Sequence, residues 1–343
     1  MYRLNTSNLN KYKIVMLSDY VDPATYTQEE LTKEKAFINA IRGQIGKYSI
    51  PIDYIEVKTL RDIQTALAKY NKQKTVIFNW CETLDGTDTE ATDVTKYLEK
   101  KHFIFSGANS SCLALTQQKD KTSDTLRQSG ISVPAYQLLT NMQDVKKAAI
   151  NFPLILKLNA FHSSVGITMA NIVTNRKQLL QQTHKLLANY QTTVMAQEFI
   201  DGPEYTVAVW GNYPNEQALM IYKDKYADTK GCIVNTNNAK FDEKSEDAKN
   251  VTFIKINPEN HNKTIEKIIK YVLNSYRTLG FRDYGRFEVR VSKKGCYVID
   301  CNPNPWLGID GIFIAGAKKY GYNYGEMIMQ ICDFAIERQE KYE

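Results

Sequence analysis

Residues 283–307 of this chain read DYGRFEVRVSKKGCYVIDCNPNPWL. Phe287, Val289 and Val291 alternate with polar residues, and a second alternating run follows a Lys-Lys-Gly turn. Alternation with a period of two residues is typical of half-buried β-strands. We therefore predict that this stretch forms a β-hairpin.

The polar residues of the hairpin predict a site for a metal ion. Side chains two residues apart lie on the same face of a strand, which groups Arg286, Glu288 and Arg290 on the first strand. The residues grouped in the same way on the second strand are Cys296, Val298, Asp300 and Asn302. Two carboxylates and an amide can then converge, and such hard oxygen ligands suit Mg²⁺ together with phosphate oxygens and water. The alternative is that these are solvated charges on an open face.

The order of these residues resembles the ending of a known enzyme family. GRFE followed by DCNPNP is similar to the GR-x-D … E-x-N pattern of ATP-grasp ligases, particularly the D-alanine–D-alanine ligase group. The resemblance implies that Glu288, Asp300 and Asn302 hold two Mg²⁺ or Mn²⁺ ions against the nucleotide phosphates, and that Arg286 stabilises the transition state. Glu288 stands where the family usually has Asp, and Asp300 where it usually has Glu, so each side chain differs in reach by one methylene.

Composition describes an ordinary globular protein. The 343 residues are 43% hydrophobic and 24% charged, which suggests two or three packed units. A net charge of +6 and a pI of about 8.7 suit an anionic small ligand, and lysines and arginines form no run of the length of a nucleic-acid tail. The six cysteines include no C-x-x-C pair, and no apolar run approaches a signal core or a membrane span. We expect a cytoplasmic protein with small-molecule partners, no nucleic acid and no membrane, and a homodimer is left open.

The first third of the chain predicts a parallel sheet. Residues 12–17, 52–57 and 75–79 read as strands, with helices beginning at Thr27 and covering 60–70, so the rhythm is βαβαβ. Because ligands of such sheets lie beyond the carboxyl ends of strands, Asn79, Glu82 and Asp85 are candidates for substrate contacts. The alternative is that Asn79 and Asp85 end the strand and cap the next helix.

One motif in this region matches a subgroup of the family, and another differs from the D-alanine–D-alanine ligases. FNWCE is similar to the FN-x-CE segment of a subgroup of the family. The ligases proper carry an H-S-x-E type motif after the first strand, and here that position reads LSDYVDPATY. This departure argues against D-alanine as the substrate.

Two lysines in the middle of the chain are candidates for contacts to phosphate. Lys157 ends an apolar run, where an ammonium needs an anionic partner, and the SSVG that follows offers hydroxyls and backbone N–H groups. The run resembles the family's VKP … GSSVG, which implies that Lys157, Ser163 and Ser164 bind the phosphates. Residues 119–134 resemble its DK-x-x-T … G-[IV]-x-x-P pattern, which implies the same for Lys119. Directly before SSVG, this chain has Phe161-His162 where the family commonly has an acid and a glycine.

The run VMAQEFIDGPEYTVAVWG predicts another antiparallel pair, with strands over 194–199 and 205–209 around a turn at 201–203. It is similar to the family's EEFI-x-G-x-EFTV. The resemblance implies a hinge that binds adenine through Gln197, Glu198 and Ile200, and a contact of Glu204 with the ribose. Lys225 aligns with a family lysine that neutralises the transferred phosphate. We also predict helices over 176–190, 263–279 and 324–337, and a polar loop over 235–250 that is either mobile or ordered on closure.

These patterns together predict an α/β and α+β protein with the ATP-grasp fold. The predicted domains are an N-terminal parallel-sheet domain (1–106), a central ATP-grasp subdomain (107–193) and a C-terminal subdomain with the Mg²⁺ site (194–343). By resemblance, the function is ATP-dependent formation of a peptide or amide bond from a carboxylate and an amine through an acyl phosphate. Asn304 and Trp306 are further candidates for substrate contact, although Trp306 would serve equally as a packing residue.

Three alternatives stay open at this point. An L-amino-acid or specialised-metabolite peptide ligase would keep the fold and change the product. A nucleotide-binding protein without turnover would follow if the exchanged acids had lost their chemistry. Nucleic-acid binding rests on the pI alone.

Overall fold

The computed structural model describes residues 4–19, 28–81, 84, 90–160, 167–226, 249, 251–260 and 262–340. Within these residues the chain forms three β-sheets, which we name the N-terminal, central and C-terminal sheets in chain order. Among the described helices, none is long and apolar enough to cross a membrane.

The N-terminal sheet is parallel, as predicted, with the strand order β2-β1-β3-β4. Its strands are β1 (Lys13–Asp19), β2 (Ile52–Val57), β3 (Thr75–Trp80) and β4 (Ile104–Phe105). The helices of this part are α1 (Thr6–Leu9), α2 (Gln28–Gly46), α3 (Leu60–Leu67) and α4 (Glu90–Lys100). Apolar residues of α3 and α4 pack on one face, and α2 packs on the other together with the last helix of the chain, α11 (Tyr324–Glu340). The predicted start of α2 at Thr27 lies outside the described residues.

The central sheet is antiparallel, with the order β5-β8-β6-β7. Its strands are β5 (Tyr136–Leu139), β6 (Leu154–Leu158), β7 (Ile172–Val173) and β8 (Val194–Glu198). The helices α7 (Met142–Lys147) and α8 (Arg176–Tyr190) pack on it, whereas α5 (Ser110–Thr116) and α6 (Lys119–Gln128) precede it in the chain and pack in the core of the C-terminal sheet. The core of this unit lies between the sheet and the apolar faces of α7 and α8.

The C-terminal sheet contains the predicted hairpin. Its order is β11-β10-β9-β12-β13, and neighbouring strands are antiparallel. The strands are β9 (Glu204–Trp210), β10 (Gln217–Tyr226), β11 (Val251–Ile256), β12 (Tyr284–Ser292) and β13 (Gly295–Asn302). The helix α9 (Lys263–Thr278) packs behind the hairpin, as expected, because its stripe of Ile265, Ile268 and Val272 faces the sheet. The helix α10 (Ile312–Lys319) packs on part of the opposite face.

The predicted antiparallel pairing of residues 194–199 with 205–209 is wrong. The strand β8 pairs with β5 and β6, whereas β9 lies between β10 and β12 in the other sheet. Alternation shows that each run is half-buried and does not identify its partner. The chain between them crosses from sheet to sheet, and it is held at β12 because the Val291 N–H donates to the Pro203 carbonyl (3.1 Å). Gly202 allows this approach, since a Cβ there would lie 2.0 Å from the Val291 oxygen.

The faces predicted for β13 are also wrong, because this strand contains a β-bulge. Glu288 pairs with Asp300, but the next residue, Val289, pairs with Val298, so Ile299 is an extra residue. Val298 therefore faces the core behind the sheet, together with Cys296. Asp300 and Asn302 face the other way, opposite Glu288 and Arg286. The bulge thus puts Cys296 and Val298 on one face of the strand, and Asp300 and Asn302, which carry the side-chain oxygens, on the other.

Asp333, on α11, is a buried acid that makes stability depend on pH. Asp333 is fully buried, and burial raises the pKa of its carboxyl to about 6. The carboxylates of Glu337 and Glu340 act in the same direction. An aspartate in an unfolded chain has a pKa of about 3.9. Between these two pH values the unfolded chain has lost the proton that the folded chain keeps, so the free energy of unfolding falls as pH rises.

We expect Asp333→Asn to remove this dependence. The variant should gain about 2 to 3 kcal/mol over the wild type at pH 7.5 and almost nothing at pH 4, because only the ionised form is penalised. Thermal unfolding of both proteins across this range measures the difference. Asp124→Asn, at an exposed acid of α6, is the control and should follow the wild-type curve. Parallel curves for wild type and Asp333→Asn would contradict the assignment.

Candidate active site

One face of the C-terminal sheet meets the central sheet at a cleft. The strand register puts Glu204 and Thr206 of β9 on this face, beside Arg290 and Glu288 of β12. Towards the start of β12 the same face is covered, since Ala208 packs in the core that includes α10. The polar side chains therefore lie on the part of the sheet that is turned toward the central sheet.

Lys157 joins the two sheets. Its ammonium donates to the carbonyl oxygen of Ile299, the extra residue of the bulge, at a distance of 3.1 Å. Burial lowers the pKa of Lys157, and the carboxylates of Asp300, Glu288 and Glu204 oppose this effect. The ammonium thus lies within electrostatic range of acids on three positions of the opposing sheet.

Lys119 lies on the same cleft, at the start of α6. It lowers the pKa of Lys157 further, which is the repulsion expected between neighbouring ammonium groups. The residues that line the cleft include Lys119 of α6 together with residues of the two sheets, namely Lys157, Met195, Gln197, Asp300 and Cys301. Two cations that converge in a partly buried cleft favour an anionic ligand between them.

Asn159 positions the two lysines, and the sequence analysis missed it. Its carbonyl accepts from the Lys119 N–H (3.1 Å), and its side chain accepts from the Asp120 N–H (3.0 Å) and donates to the Asp120 carboxylate (2.9 Å). These bonds tie the first turn of α6 to the residue that follows Leu158, the last residue of β6. The available signal was a buried amide directly after an apolar strand.

The connection between β8 and β9 is held by a second residue that the sequence analysis left without a role. Arg290 forms a buried ion pair with Glu204, with an Nε to Oε2 distance of 2.9 Å. Its Nη1 donates to the Ile200 carbonyl (3.1 Å), and the guanidinium lies 4.7 Å from the centre of the Phe199 ring. Arg290 therefore fixes the conformation of the segment that was predicted to bind adenine and ribose.

The remaining parts of that segment are held by backbone bonds. The Glu198 N–H donates to the Ala135 carbonyl at 2.7 Å, and the Phe199 N–H donates to the Pro153 carbonyl at 3.0 Å. Gln197 is buried on the cleft, whereas the Glu198 carboxylate points outward, 3.8 Å from the Lys294 ammonium. Gln197 can thus contribute its side chain to the cleft, and Glu198 only its backbone.

The hairpin brings together the oxygen ligands expected for a divalent cation. Glu288 and Asp300 occupy directly opposed positions of β12 and β13, where side chains approach to about 5 Å between Cβ atoms. Asn302 follows on the same face, opposite Arg286, whose guanidinium lies 3.7 Å from the Glu288 carboxylate. Two carboxylates and an amide fit Mg²⁺ that keeps other ligands from phosphate or water. No cluster of three or more acids, cysteines or histidines suited to a metal occurs in the described part of the chain.

Some predicted site residues are placed elsewhere. Lys225 is exposed and alternates with Asp224 along β10, so it points to the face opposite the one that carries Glu204 and Glu288. Asn79 is buried and its side chain accepts from the Cys81 N–H (3.4 Å), which agrees with the alternative that it ends the strand. The predicted residues outside the described part of the chain are Glu82, Asp85, His162, Ser163, Ser164 and residues 235–248 and 250 of the predicted loop.

Asn304 and Trp306 follow Asn302 in the chain, and Asn304 lies near the end of the N-terminal sheet. The Asn302 side chain accepts from the Asn304 N–H (3.0 Å). The Asn304 amide oxygen lies 3.1 Å from where a Cβ on Gly107 would be, so it is close to the N-terminal unit. The Trp306 side chain is 55% exposed, which argues against a purely packing role.

The chain matches a protein-family model and is similar to known D-alanine–D-alanine ligases. The family model described as D-ala D-ala ligase C-terminus matches residues 125–333. The D-alanine–D-alanine ligase of Desulforudis audaxviator is 26% identical over 259 residues, which cover 74% of this chain and 80% of that protein. The D-alanine–D-alanine ligase of Desulforamulus reducens is 22% identical over 314 residues, which cover 89% and 91% respectively.

Solved structures share the fold. The D-alanine–D-alanine ligase from Bacillus anthracis complexed with ATP has a TM-score of 0.72 at 19% identity and covers 97% of this chain and 100% of that chain. The VanG D-Ala:D-Ser ligase from Enterococcus faecalis has a TM-score of 0.67 at 16% identity, with coverage of 94% and 99%. These likenesses confirm the predicted ATP-grasp fold with an N-terminal parallel sheet, whereas the three domain boundaries stay predictions.

Proposed function

This chain belongs to the D-ala D-ala ligase C-terminus family and is a D-Ala–D-Ala ligase-like, ATP-dependent ligase, and from that premise we propose how its residues perform the reaction. The proposed reaction joins a small-molecule carboxylate to an amine through an acyl phosphate. The observation that carries it is the cleft in which Lys119 and Lys157 of the central unit meet Asp300 and Glu288 of the C-terminal sheet.

We propose that ATP lies in this cleft with its adenine at the β8–β9 connection. Gln197 would accept from the adenine amino group, and the backbone of Glu198 and Ile200 would hydrogen-bond the ring. Glu204 would meet the ribose while its other contact, the Arg290 guanidinium, keeps the connection in place. Lys119 and Lys157 would then contact the phosphates, together with Ser163 and Ser164 of the following loop.

The first chemical step is phosphoryl transfer. A carboxylate oxygen of the first substrate attacks the γ-phosphorus, and the bond from that phosphorus to the bridging oxygen of ADP breaks. Lys119 and Lys157 stabilise the negative charge on the transferred group, an electrostatic effect that is strong in a cleft with little water. Glu288, Asp300 and Asn302 would hold Mg²⁺, which when bound neutralises charge on the phosphates.

The second step forms the amide. The amine nitrogen attacks the carbonyl carbon of the acyl phosphate, the C–O bond to phosphate breaks, and the proton lost by the nitrogen passes to the departing phosphate. Arg286 lies directly beside Glu288 and would stabilise the oxyanion of the tetrahedral intermediate. The two substrates would therefore lie at the Arg286 end of the cleft, near Asn304 and Trp306.

A screen for ADP release tests this function. ATP and Mg²⁺ are incubated with combinations of amino acids, dipeptides, amines and small carboxylates, and the condensed product is detected by mass. We expect ADP and a product whose mass is the sum of the two substrates minus water. ATP-dependent thermal stabilisation without ADP release in any mixture would instead identify a nucleotide-binding protein without turnover.

Lys157→Met should weaken ATP binding by about 10- to 100-fold, since a charge-assisted contact to phosphate is lost. The fold should persist, because methionine fills similar space and removes a charge that burial already penalises. Calorimetric titration with ATP measures the dissociation constant. Lys121→Met, at an exposed lysine of α6, should leave it unchanged, and an unaltered value for Lys157→Met would remove this residue from the nucleotide site.

A further inference from the structure

A second cavity lies where the end of β4, the start of β12 and the end of α11 meet. Its volume is about 640 Å³, which is in the range of small-molecule sites. The polar residues that line it include Asn109, Asn212, Asn215, Arg282, Glu337 and Arg338. Within the described part of the chain, its lining shares no residue with that of the ATP cleft. The cavity is therefore separate from the site of the proposed reaction.

Arg282 brings a positive charge to this cavity. Its Nε donates to the Gly107 carbonyl at 2.6 Å, and its guanidinium lies 4.5 Å from the centre of the Phe105 ring. Among the described residues it belongs to no ion pair, and its Nη2 is buried without a hydrogen bond. Burial lowers the pKa of Arg282 to about 10, and Arg338 acts in the same direction. A mostly buried guanidinium in this situation favours an anionic partner.

The acids that attract Arg282 from a distance are held by other donors. Asp283 and Glu99 both raise its pKa. Asp283 accepts from Nη2 of Arg338 at 3.0 Å and from its Nε at 3.2 Å. Glu99 accepts from the N–H of Ser110 at 2.9 Å and from its hydroxyl. The charge of Arg338 is thus balanced by a bonded carboxylate, whereas the Arg282 guanidinium can still accept a carboxylate from a ligand.

Glu337 brings a negative charge to the same cavity. It directly precedes Arg338 on α11 and is partly exposed. No ion pair between described residues joins it to Arg282 or Arg338. Arg277, beside Tyr213 at the edge of the cavity, is already paired with Glu216. A cavity that holds a guanidinium and a carboxylate without pairing them is complementary to a ligand that carries both charges.

We propose that this cavity binds a small zwitterion of the amino-acid class, a molecule that carries an ammonium and a carboxylate. Its carboxylate meets Arg282, and its ammonium meets Glu337. Because the cavity is bordered by the N-terminal unit, the C-terminal sheet and α11, the bound ligand bridges them and raises the free energy of unfolding. This site is independent of the ligase reaction proposed for the cleft.

A matched series of ligands tests the requirement for both charges. Glycine, β-alanine and γ-aminobutyrate carry the two charges at increasing separation, whereas butyrate and butylamine carry one each. Binding to the full chain is measured by calorimetric titration without nucleotide, and by the melting temperature. We expect at least one of the zwitterions to bind and to raise the melting temperature, and butyrate and butylamine to bind more weakly than it by about tenfold or more.

Variants on the two sides of the cavity locate the ligand. Glu337→Gln should weaken binding of the zwitterion by about tenfold, and Arg282→Met by about 10- to 100-fold, since each removes a charge-assisted contact. Arg282→Met also loses the bond to the Gly107 carbonyl, so its thermal unfolding is measured without ligand, whereas Glu337→Gln changes a partly exposed side chain. Asp124→Asn and Arg127→Met, which remove exposed charges on α6, are the controls and should bind as the wild type does.

Arg286→Met distinguishes this cavity from the ATP cleft, where an amino-acid substrate would also bind. It removes the guanidinium beside Glu288 and should leave binding in the cavity unchanged. Binding that is lost in Arg286→Met and kept in Arg282→Met and Glu337→Gln would place the zwitterion in the cleft and overturn the inference. Equal binding of butyrate or butylamine, or no binding of any zwitterion in the series, would overturn it as well.

Discussion

Glu288→Gln is expected to lower the rate of ADP release by about a thousandfold, which is the size of effect seen when one charge at a reaction centre is lost. The amide keeps the shape of the side chain and loses the negative charge that we propose binds Mg²⁺. Glu288 is buried and lies opposite Asp300 in the hairpin, so a neutral replacement leaves the proposed metal site with one carboxylate instead of two. Turnover is measured with the substrate pair found in the screen, and thermal unfolding checks that the fold is retained.

The matched variants sharpen this test. Asp300→Asn should cause a loss of similar size, and the double variant should be little worse than either single one, because residues that act as a unit are not additive. Asp124→Asn should leave turnover unchanged. Near-normal turnover of Glu288→Gln would support the alternative given in the sequence analysis, in which the hairpin acids are solvated charges that bind no metal.

The hairpin shows how far local pattern predicts this site. Alternation predicted two strands and the convergence of two acids with an amide, because these depend on neighbours in sequence, and the structure places Glu288 directly opposite Asp300. The bulge at Ile299 could not be predicted, since the alternating pattern continues through it. Its consequence is specific, because the carbonyl of Ile299 is the one that Lys157 reaches.

Residues that act over long distances in the chain were the ones that sequence left out. Asn159 was passed over because its partners are in α6, some forty positions earlier, and Arg290 because its partner Glu204 is in another strand. Side-chain periodicity carries no information on such pairs. The same limit explains the wrong pairing of β8 with β9, where two half-buried runs and a turn also fit a crossing between sheets.

One further long-range arrangement holds the N-terminal and C-terminal units together. Asp283 is fully buried with a positive φ of 64°, and its carboxylate accepts from the Gly107 N–H (2.9 Å) and from the Asn212 amide (2.8 Å). Arg338 of α11 donates to it through Nη2 (3.0 Å) and Nε (3.2 Å), and Nη2 also donates to the Phe105 carbonyl (2.8 Å). The bonds join the end of β4, the start of β12 and the last helix.

Arg338→Met is therefore expected to lower the free energy of unfolding by about 3 to 5 kcal/mol, because it removes the guanidinium that is hydrogen-bonded to a buried carboxylate. The melting temperature should fall by on the order of 10 °C, and Arg127→Met, which breaks an exposed ion pair on α6, should change it very little. Asp283→Asn combined with Arg338→Met should recover part of the loss, since neither charge is then left unpaired, and the double-mutant cycle measures that recovery. Additive losses in the cycle would show that the two residues stabilise the chain independently, and the junction between the units would then depend on packing of α11 alone.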